Sequence, residues 1–387
     1  MNTQAPAGDD IIRITATRQG GNVTQVKVQI PALAWMGTQV VGMTPATATT
    51  HLRAHSSHSP RAHACAVEQA CARALGEPPP DEDAQIAMER ILAAEMADTH
   101  LRRLLIDWPP EFGFEPRLNR FAEFHRQLIA PSEPEAAFAL GGEVLDLVAR
   151  EMLAGFFNQI RMPHGIGEFI DRLNAGGSLS SVMNGLIAMG ASAPPAGGPS
   201  QLLGTLSAAA WVNSVGHWPT PEFIRYPTYG GAPAETGPLA RHAPSPLVRL
   251  LLERGHRVSA RLFAKAIDVA DCASRMRHPN TDDVPPLIDA VQVEPAVGMA
   301  RVATARGALL CWVRIADGVI SDCAMVPAGA WNFHPDGPFC REAVSGPAGG
   351  EDLEGARKRL SVLALALDPS IAHTVDITER TAARKRA

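Results

Sequence analysis

Arg306-Gly307-Ala308-Leu309-Leu310-Cys311-Trp312-Val313-Arg314-Ile315-Ala316-Asp317-Gly318-Val319-Ile320-Ser321-Asp322-Cys323-Ala324-Met325-Val326-Pro327-Ala328-Gly329-Ala330-Trp331-Asn332-Phe333-His334-Pro335 is the most informative run of the chain. Asp317-Gly318 is a two-residue turn signal, because both positions tolerate positive φ. The flanking residues 309–315 and 319–326 are rich in β-branched and aromatic side chains, so the segment predicts a β-hairpin. Arg306-Gly307 stands at its mouth. An arginine fork there suits either two-point binding of an anion or a structural pair with a carboxylate.

A second hairpin is predicted near the other end, over about residues 11–30. Ile12, Ile14 and Ala16 alternate with polar residues, 19–22 supply the turn, and Val26, Val28 and Ile30 alternate on the return. Between the hairpins, from about 62 to 280, helical patterns dominate. Residues 62–75 are alanine-rich without Gly or Pro, and 83–106 carry Ala87, Ile91, Ala94, Ala97, Leu101 and Leu104 at helical spacing. Residues 136–160 and 246–276 are two further long helical stretches, while 77–80 and 193–200 are Pro/Gly-rich connectors. Sheet at both ends with helices between implies termini that meet. The expectation is therefore one α+β domain, predominantly helical, over 1–387, with its C-terminal hairpin and end segment at about 300–376.

The 387 residues carry a formal net charge of -5, so no basic face argues for nucleic acid. The basic residues Arg380, Arg384, Lys385 and Arg386 read as a solvated end. The first ten residues lack a basic and apolar signal pattern, and no run approaches the roughly 18 apolar residues of a membrane span. Six cysteines lie far apart, which fits reduced thiols in a cytoplasmic protein. Cys65 and Cys71, six apart on a helix, diverge in direction, and each reads as a small core residue.

Two polar constellations remain. His51, His55 and His58 precede Arg61, His63 and Cys65; their spacing suits either one metal ion or an exposed polar loop. Near the C-terminus, Leu367-Asp368-Pro369-Ser370-Ile371-Ala372-His373-Thr374-Val375-Asp376 reads on its own as a turn after an apolar segment.

Taken together, these pieces resemble the [NiFe]-hydrogenase large subunit. That family has Glu-x-Gly-Pro-Leu-Ala-Arg, and here stands Glu235-Thr236-Gly237-Pro238-Leu239-Ala240-Arg241. Its Arg-Gly-x-Leu strand and Val-Pro-x-x-x-Trp-Asn-x-x-Pro are matched by 306–309 and 326–335. The family ends in Asp-Pro-Cys-x-x-Cys-x-x-His. Here Asp368-Pro369 persists, Ser370 and His373 occupy the thiolate places, and Asp376 replaces the histidine. The family's Arg-x-Cys-Gly-x-Cys-x-x-x-His-Ala resembles 53–64 in two registers. One keeps Arg53 and puts His55 and His58 at the cysteine positions; the other puts Ser56 and Ser59 there and aligns His63. Cys311 stands where the family has histidine.

The resemblance implies a large-subunit-like fold whose metal grip is gone. In a working enzyme four thiolates hold nickel, and two bridge to an iron carrying cyanide and carbon monoxide. Bridging needs a soft anionic donor with two lone pairs to share, which neither imidazole nor a protonated serine supplies. No hydrogen chemistry and no nickel are expected. His55, His58, Ser370 and His373 become a candidate site for a transiently held Fe(CN)2(CO) unit, and Arg306 a hydrogen-bond donor to a cyanide. Degenerate relatives of this kind are the HupK-type hydrogenase expression/formation proteins. They imply an assembly scaffold or chaperone whose partners are hydrogenase maturation proteins and the large subunit. The alternative is a metal-free mimic that occupies the small subunit or a maturation chaperone.

Overall fold

At Asp317 and Gly318 the backbone takes φ of 49° and 77°, the paired positive values that a tight two-residue turn requires. In the computed structural model, which describes residues 11–30, 37–130, 133–159, 161–195, 198–279, 284–347, 350–370 and 372–380, this turn joins the last two strands of a sheet. The sheet is four-stranded and antiparallel, in sequential order: β3 (Ile288–Glu294), β4 (Val297–Thr304), β5 (Gly307–Ala316) and β6 (Val319–Val326). The hairpin expected at 309–326 is therefore half of a larger sheet. Every residue of β4 is buried. Such a strand shows no period-two alternation in sequence, which is why it escapes a pattern reading.

The N-terminal hairpin forms as expected, from β1 (Ile12–Gln19) and β2 (Asn22–Gln29). A third strand, β7 (His373–Glu379), lies parallel to β1, with Ile12 opposite His373. The two ends of the fold meet in this sheet, and the C-terminal segment read as a turn is a strand.

The helices account for most of the rest. α1 (Pro45–His55) and α2 (Pro60–Ala74) precede α3 (Glu82–Arg102), which continues as a π-helical turn, Arg103–Asp107. α4 (Pro134–Asp146) runs into another π-helical turn, Leu147–Met152, so it is shorter than the 136–160 expected. The stretch expected as one helix over 246–276 breaks at Gly255, whose φ of 78° no helix accommodates. Its second part is α5 (Arg257–Arg277), a central helix packed on α3 and α4. α6 (Leu353–Leu367) leads to the C-terminal strand.

The main core lies between α2, α3, α5 and one face of the four-stranded sheet. α2 runs so close to β4 that a Cβ on Gly298 would sit 2.0 Å from the Ala70 carbonyl oxygen. No helix among the described residues is long and apolar enough to cross a membrane. Arg384, Lys385 and Arg386 of the basic end lie outside the described residues.

Candidate functional site

α6 ends at Leu367, and Asp368 follows in the left-handed conformation with φ of 60°. That turn drives the Asp368 carboxylate inward, where it is only 2% exposed. Lys265 Nζ on α5 donates to Oδ2 at 2.7 Å, and Arg103 Nε donates to Oδ1 at 2.8 Å. Arg103 also donates to the Pro369 carbonyl at 2.6 Å and to Asp107 at 2.7 Å, so the π-helical turn clamps the segment after α6. Arg306 Nε is ion-paired with Asp368 Oδ1 at 3.6 Å, outside hydrogen-bond reach, and is buried without a hydrogen-bond partner among the described residues. Burial by itself would raise the Asp368 carboxyl. Lys265, Arg103 and Arg306 overturn that effect and hold it well below the usual carboxylate range.

Asn332 binds the separate motifs to one another. Its side chain accepts from the Thr236 amide at 3.0 Å and donates to the carbonyls of Thr236, Arg306 and Leu367 at 3.2, 3.3 and 3.4 Å. One amide thus touches the Glu-Thr-Gly-Pro segment, the hairpin mouth and the end of α6. The first two approach at glycines: a Cβ on Gly307 (φ 137°) would lie 2.1 Å from Thr236 Oγ1. The remaining polar residues of that segment act as struts. Glu235 receives two hydrogen bonds from Arg261, and Arg241 donates two to Asp268. Between Lys265, Arg306, Asn332 and Asp368 lies a cavity of about 10 Å³, room for roughly one water.

The residues singled out in sequence divide into two groups. Arg306, Ser370 and His373 lie around the Asp368 turn; Ser370 and His373 are half-buried, and His373 opens β7. Burial and the nearby Arg103 charge lower the His373 imidazole. His58 belongs to the same surroundings: burial first, then Arg306, Arg103, Arg102 and His63, lower it to about 4. His55 stands apart from them. It is the exposed last residue of α1, its Nδ1 bonds its own helix at the His51 carbonyl, and its ring stacks on His51. Of the second register's residues, Ser56 is half-buried, and Ser59 and His63 are buried at the start of α2.

No three His, Cys, Asp or Glu side chains among the described residues are grouped to hold a metal ion. The cysteines serve the core: burial pushes Cys65 and Cys71 up to about 12, and Cys311 is fully buried in β5 beside Cys323. Asp368, Arg103 and Lys265 carry no role that the sequence alone assigns. Lys265 had a legible signal, a lone cation inside the apolar run Leu262-Phe263-Ala264-Lys265-Ala266. Nothing in sequence marks Arg103.

The His58 environment makes a direct prediction. By NMR its imidazole is expected to titrate near pH 4, leaving it neutral across the physiological range. Since the unfolded value is higher, the protein loses stability as pH falls from about 6.5 toward 4. A midpoint near 6.5 would place His58 outside this cationic surrounding.

The architecture is that of the [NiFe]-hydrogenase large subunit. The Ni-Fe-Se hydrogenase of D. vulgaris Hildenborough in the reduced state superposes with a TM-score of 0.57 at 17% identity, over 90% of this chain and 94% of that one. The reduced, active Ni-Fe-Se enzyme of Desulfomicrobium baculatum gives 0.59 at 17%, over 92% and 95%.

More particularly, the chain is similar to hydrogenase expression/formation proteins. It is 30% identical to HupK of Rhizobium leguminosarum bv. viciae over 158 residues, 41% of this chain and 42% of that protein. It is 33% identical to HupV of Azotobacter chroococcum mcd 1 over 147 residues, 38% and 39% of the two chains. The match thus spans about two fifths of these curated relatives. No family model matches the chain.

Proposed function

We propose that this protein serves in the formation of a [NiFe] hydrogenase as a non-catalytic scaffold in the cytoplasm, receiving an Fe(CN)2(CO) unit and releasing it to a true large subunit. Its partners are then hydrogenase maturation proteins and that subunit, and it carries no nickel. The observation that carries this reading is the contrast within one site. Arg306, Arg103 and Lys265 gather around the Asp368 carboxylate, while serine or histidine stands where the large-subunit resemblance implies thiolates. Cyanide ligands are hydrogen-bond acceptors that such donors suit. Weak protein ligands favour release, which a carrier needs and an enzyme does not. The expression/formation names of the relatives agree with this role.

The test is infrared spectroscopy on protein purified anaerobically from a host with intact maturation genes. Cyanide and carbonyl bands are expected; their absence under conditions that trap the intermediate rejects iron carriage. One observation favours a second reading, the metal-free large-subunit mimic: the cavity beside Arg306 is far too small for an iron with three diatomic ligands unless the clamped segment after α6 moves. Affinity capture combined with metal analysis separates the two, since the mimic retains hydrogenase or chaperone partners and contains no iron.

A further inference from the structure

The central helix α5 begins at Arg257 without a cap: no side chain accepts from its first turn, and no acidic residue stands there. The amides of Arg257, Val258 and Ser259 therefore have no hydrogen-bond acceptor among the described residues. Such amides form the positive end of the helix dipole. They border a cavity of about 40 Å³, room for about three waters, which α6 closes from another side with Arg359 and Val362. Two arginines line this cavity, Arg257 and Arg359, and no carboxylate among the described residues does. Arg359 is committed to Glu351 and the Ala343 carbonyl. Arg257 gives only Nε, to Glu342, and its terminal nitrogens have no hydrogen bond among the described residues. Two further polar groups on the wall are unpaired. Ser259 is 2% exposed, and its hydroxyl has no partner among the described residues. The His256 Nδ1 is buried and likewise without one. A helical serine commonly donates to the carbonyl one turn back, as Ser274 does to Ala270. For Ser259 that carbonyl is Gly255, which accepts instead from the Ser192 amide at 3.1 Å.

We propose that this cavity binds a small tetrahedral oxyanion, free phosphate above all, through the first-turn amides of α5, the Ser259 hydroxyl and the Arg257 guanidinium. Sign, number and size set the class of ligand. Every unpaired group on the wall can donate a hydrogen bond, the imidazole included when Nδ1 carries its hydrogen. Donors without acceptors at the positive end of a helix select an anion. Three amides, a hydroxyl and a guanidinium exceed what the two oxygens of a carboxylate can use, and they suit the four oxygens of phosphate. A cavity of this size has no space for an organic group beside the ion, so the ion is free. The site is separate from the Asp368 turn, since Lys265 lies about 12 Å further along the axis of α5. It stands or falls independently of iron carriage.

The experiment titrates the full-length protein calorimetrically with inorganic phosphate in chloride buffer, as wild type, Ser259→Asp and Arg150→Ala. One saturable equivalent is expected for wild type. Ser259→Asp puts a carboxylate into the cavity while keeping a residue that suits a helix start, and it should weaken binding at least tenfold. Arg150→Ala removes an exposed cation elsewhere and should leave binding unchanged. No saturable phosphate binding by wild type, or equal binding by Ser259→Asp, overturns the proposal; equal losses in both variants would mean diffuse attraction to surface charge and overturn it too. Acetate binding as tightly as phosphate overturns the tetrahedral class, and phenyl phosphate binding as tightly overturns the choice of a free ion. Should Ser259→Asp fail to fold by circular dichroism, the 15N-labelled wild type decides: the Arg257, Val258 and Ser259 amide resonances must shift with phosphate, and unmoved resonances overturn the assignment.

Discussion

Asp368→Asn is expected to destabilise the protein by about 3–5 kcal/mol, the usual cost of removing one member of a buried ion pair. The amide keeps the shape of the carboxylate and removes its charge. Lys265, 1% exposed, then has no counter-ion in contact, and Arg103 retains only Asp107 and the Pro369 carbonyl. Urea unfolding reads the effect as a lower midpoint at unchanged slope. The sign with pH follows from the depressed carboxyl. The contribution of Asp368 is complete above the unfolded carboxyl value of about 4 and is lost as acid drives the pH toward the folded value. Wild type and variant should therefore converge in strong acid. Adding Lys265→Met to Asp368→Asn removes the stranded ammonium and should restore part of the loss, whereas purely additive losses would mean that the two groups do not act as a pair.

Arg261→Met should cost a similar 3–5 kcal/mol, and here too the gap to wild type closes in acid. Arg261 is 2% exposed and lies between two carboxylates, donating to both oxygens of Glu235 and both of Glu342. Burial works against its charge, but the two glutamates more than offset this and hold its pKa well above the ordinary value. Methionine fills the volume and leaves two buried anions, of which only Glu342 keeps a cation, Arg257. In the wild type, burial would raise the Glu342 carboxyl, yet Arg261 and Arg257 lower it, so its contribution is lost on acidification. In the variant the carboxylates become easier to protonate, and the penalty shrinks as pH falls. Unfolding measured between pH 8 and pH 5 should show the gap narrowing. A gap that widens in acid would mean that the Arg261 pairs are not what holds Glu235 in place.

Both effects trace to α5, where Arg261, Lys265 and Asp268 occupy positions spaced four and three apart, all at 2% exposure or less. Asp268 alone accepts from His100, His242 and Arg241. A charged stripe on the buried face of a central helix is tolerated only because each charge meets a partner from another element. Its spacing could be read in the sequence; its partners could not.

The sequence by itself determined the fold class of this protein. Local rules sufficed for both hairpins, because turn residues and alternation act over a few positions, and the order of short motifs sufficed for the large-subunit likeness. Under that likeness, serine or histidine stands where the resemblance implies sulfur donors, and reading residue identity needs no geometry. Only the tertiary structure decided which side chains share a site. His55 and His58 are three residues apart, yet one is exposed on α1 and the other lies in the field of Arg306 and Arg103. Conversely, Arg103 and Asp368 are 265 residues apart and in hydrogen-bond contact. Strand β4, buried at every position, and strand β7, supported by its parallel partner β1, likewise exist through neighbours distant in the chain. Burial and ion pairing are properties of the packed whole, and sequence spacing reports them only where a regular helix or strand carries the pattern.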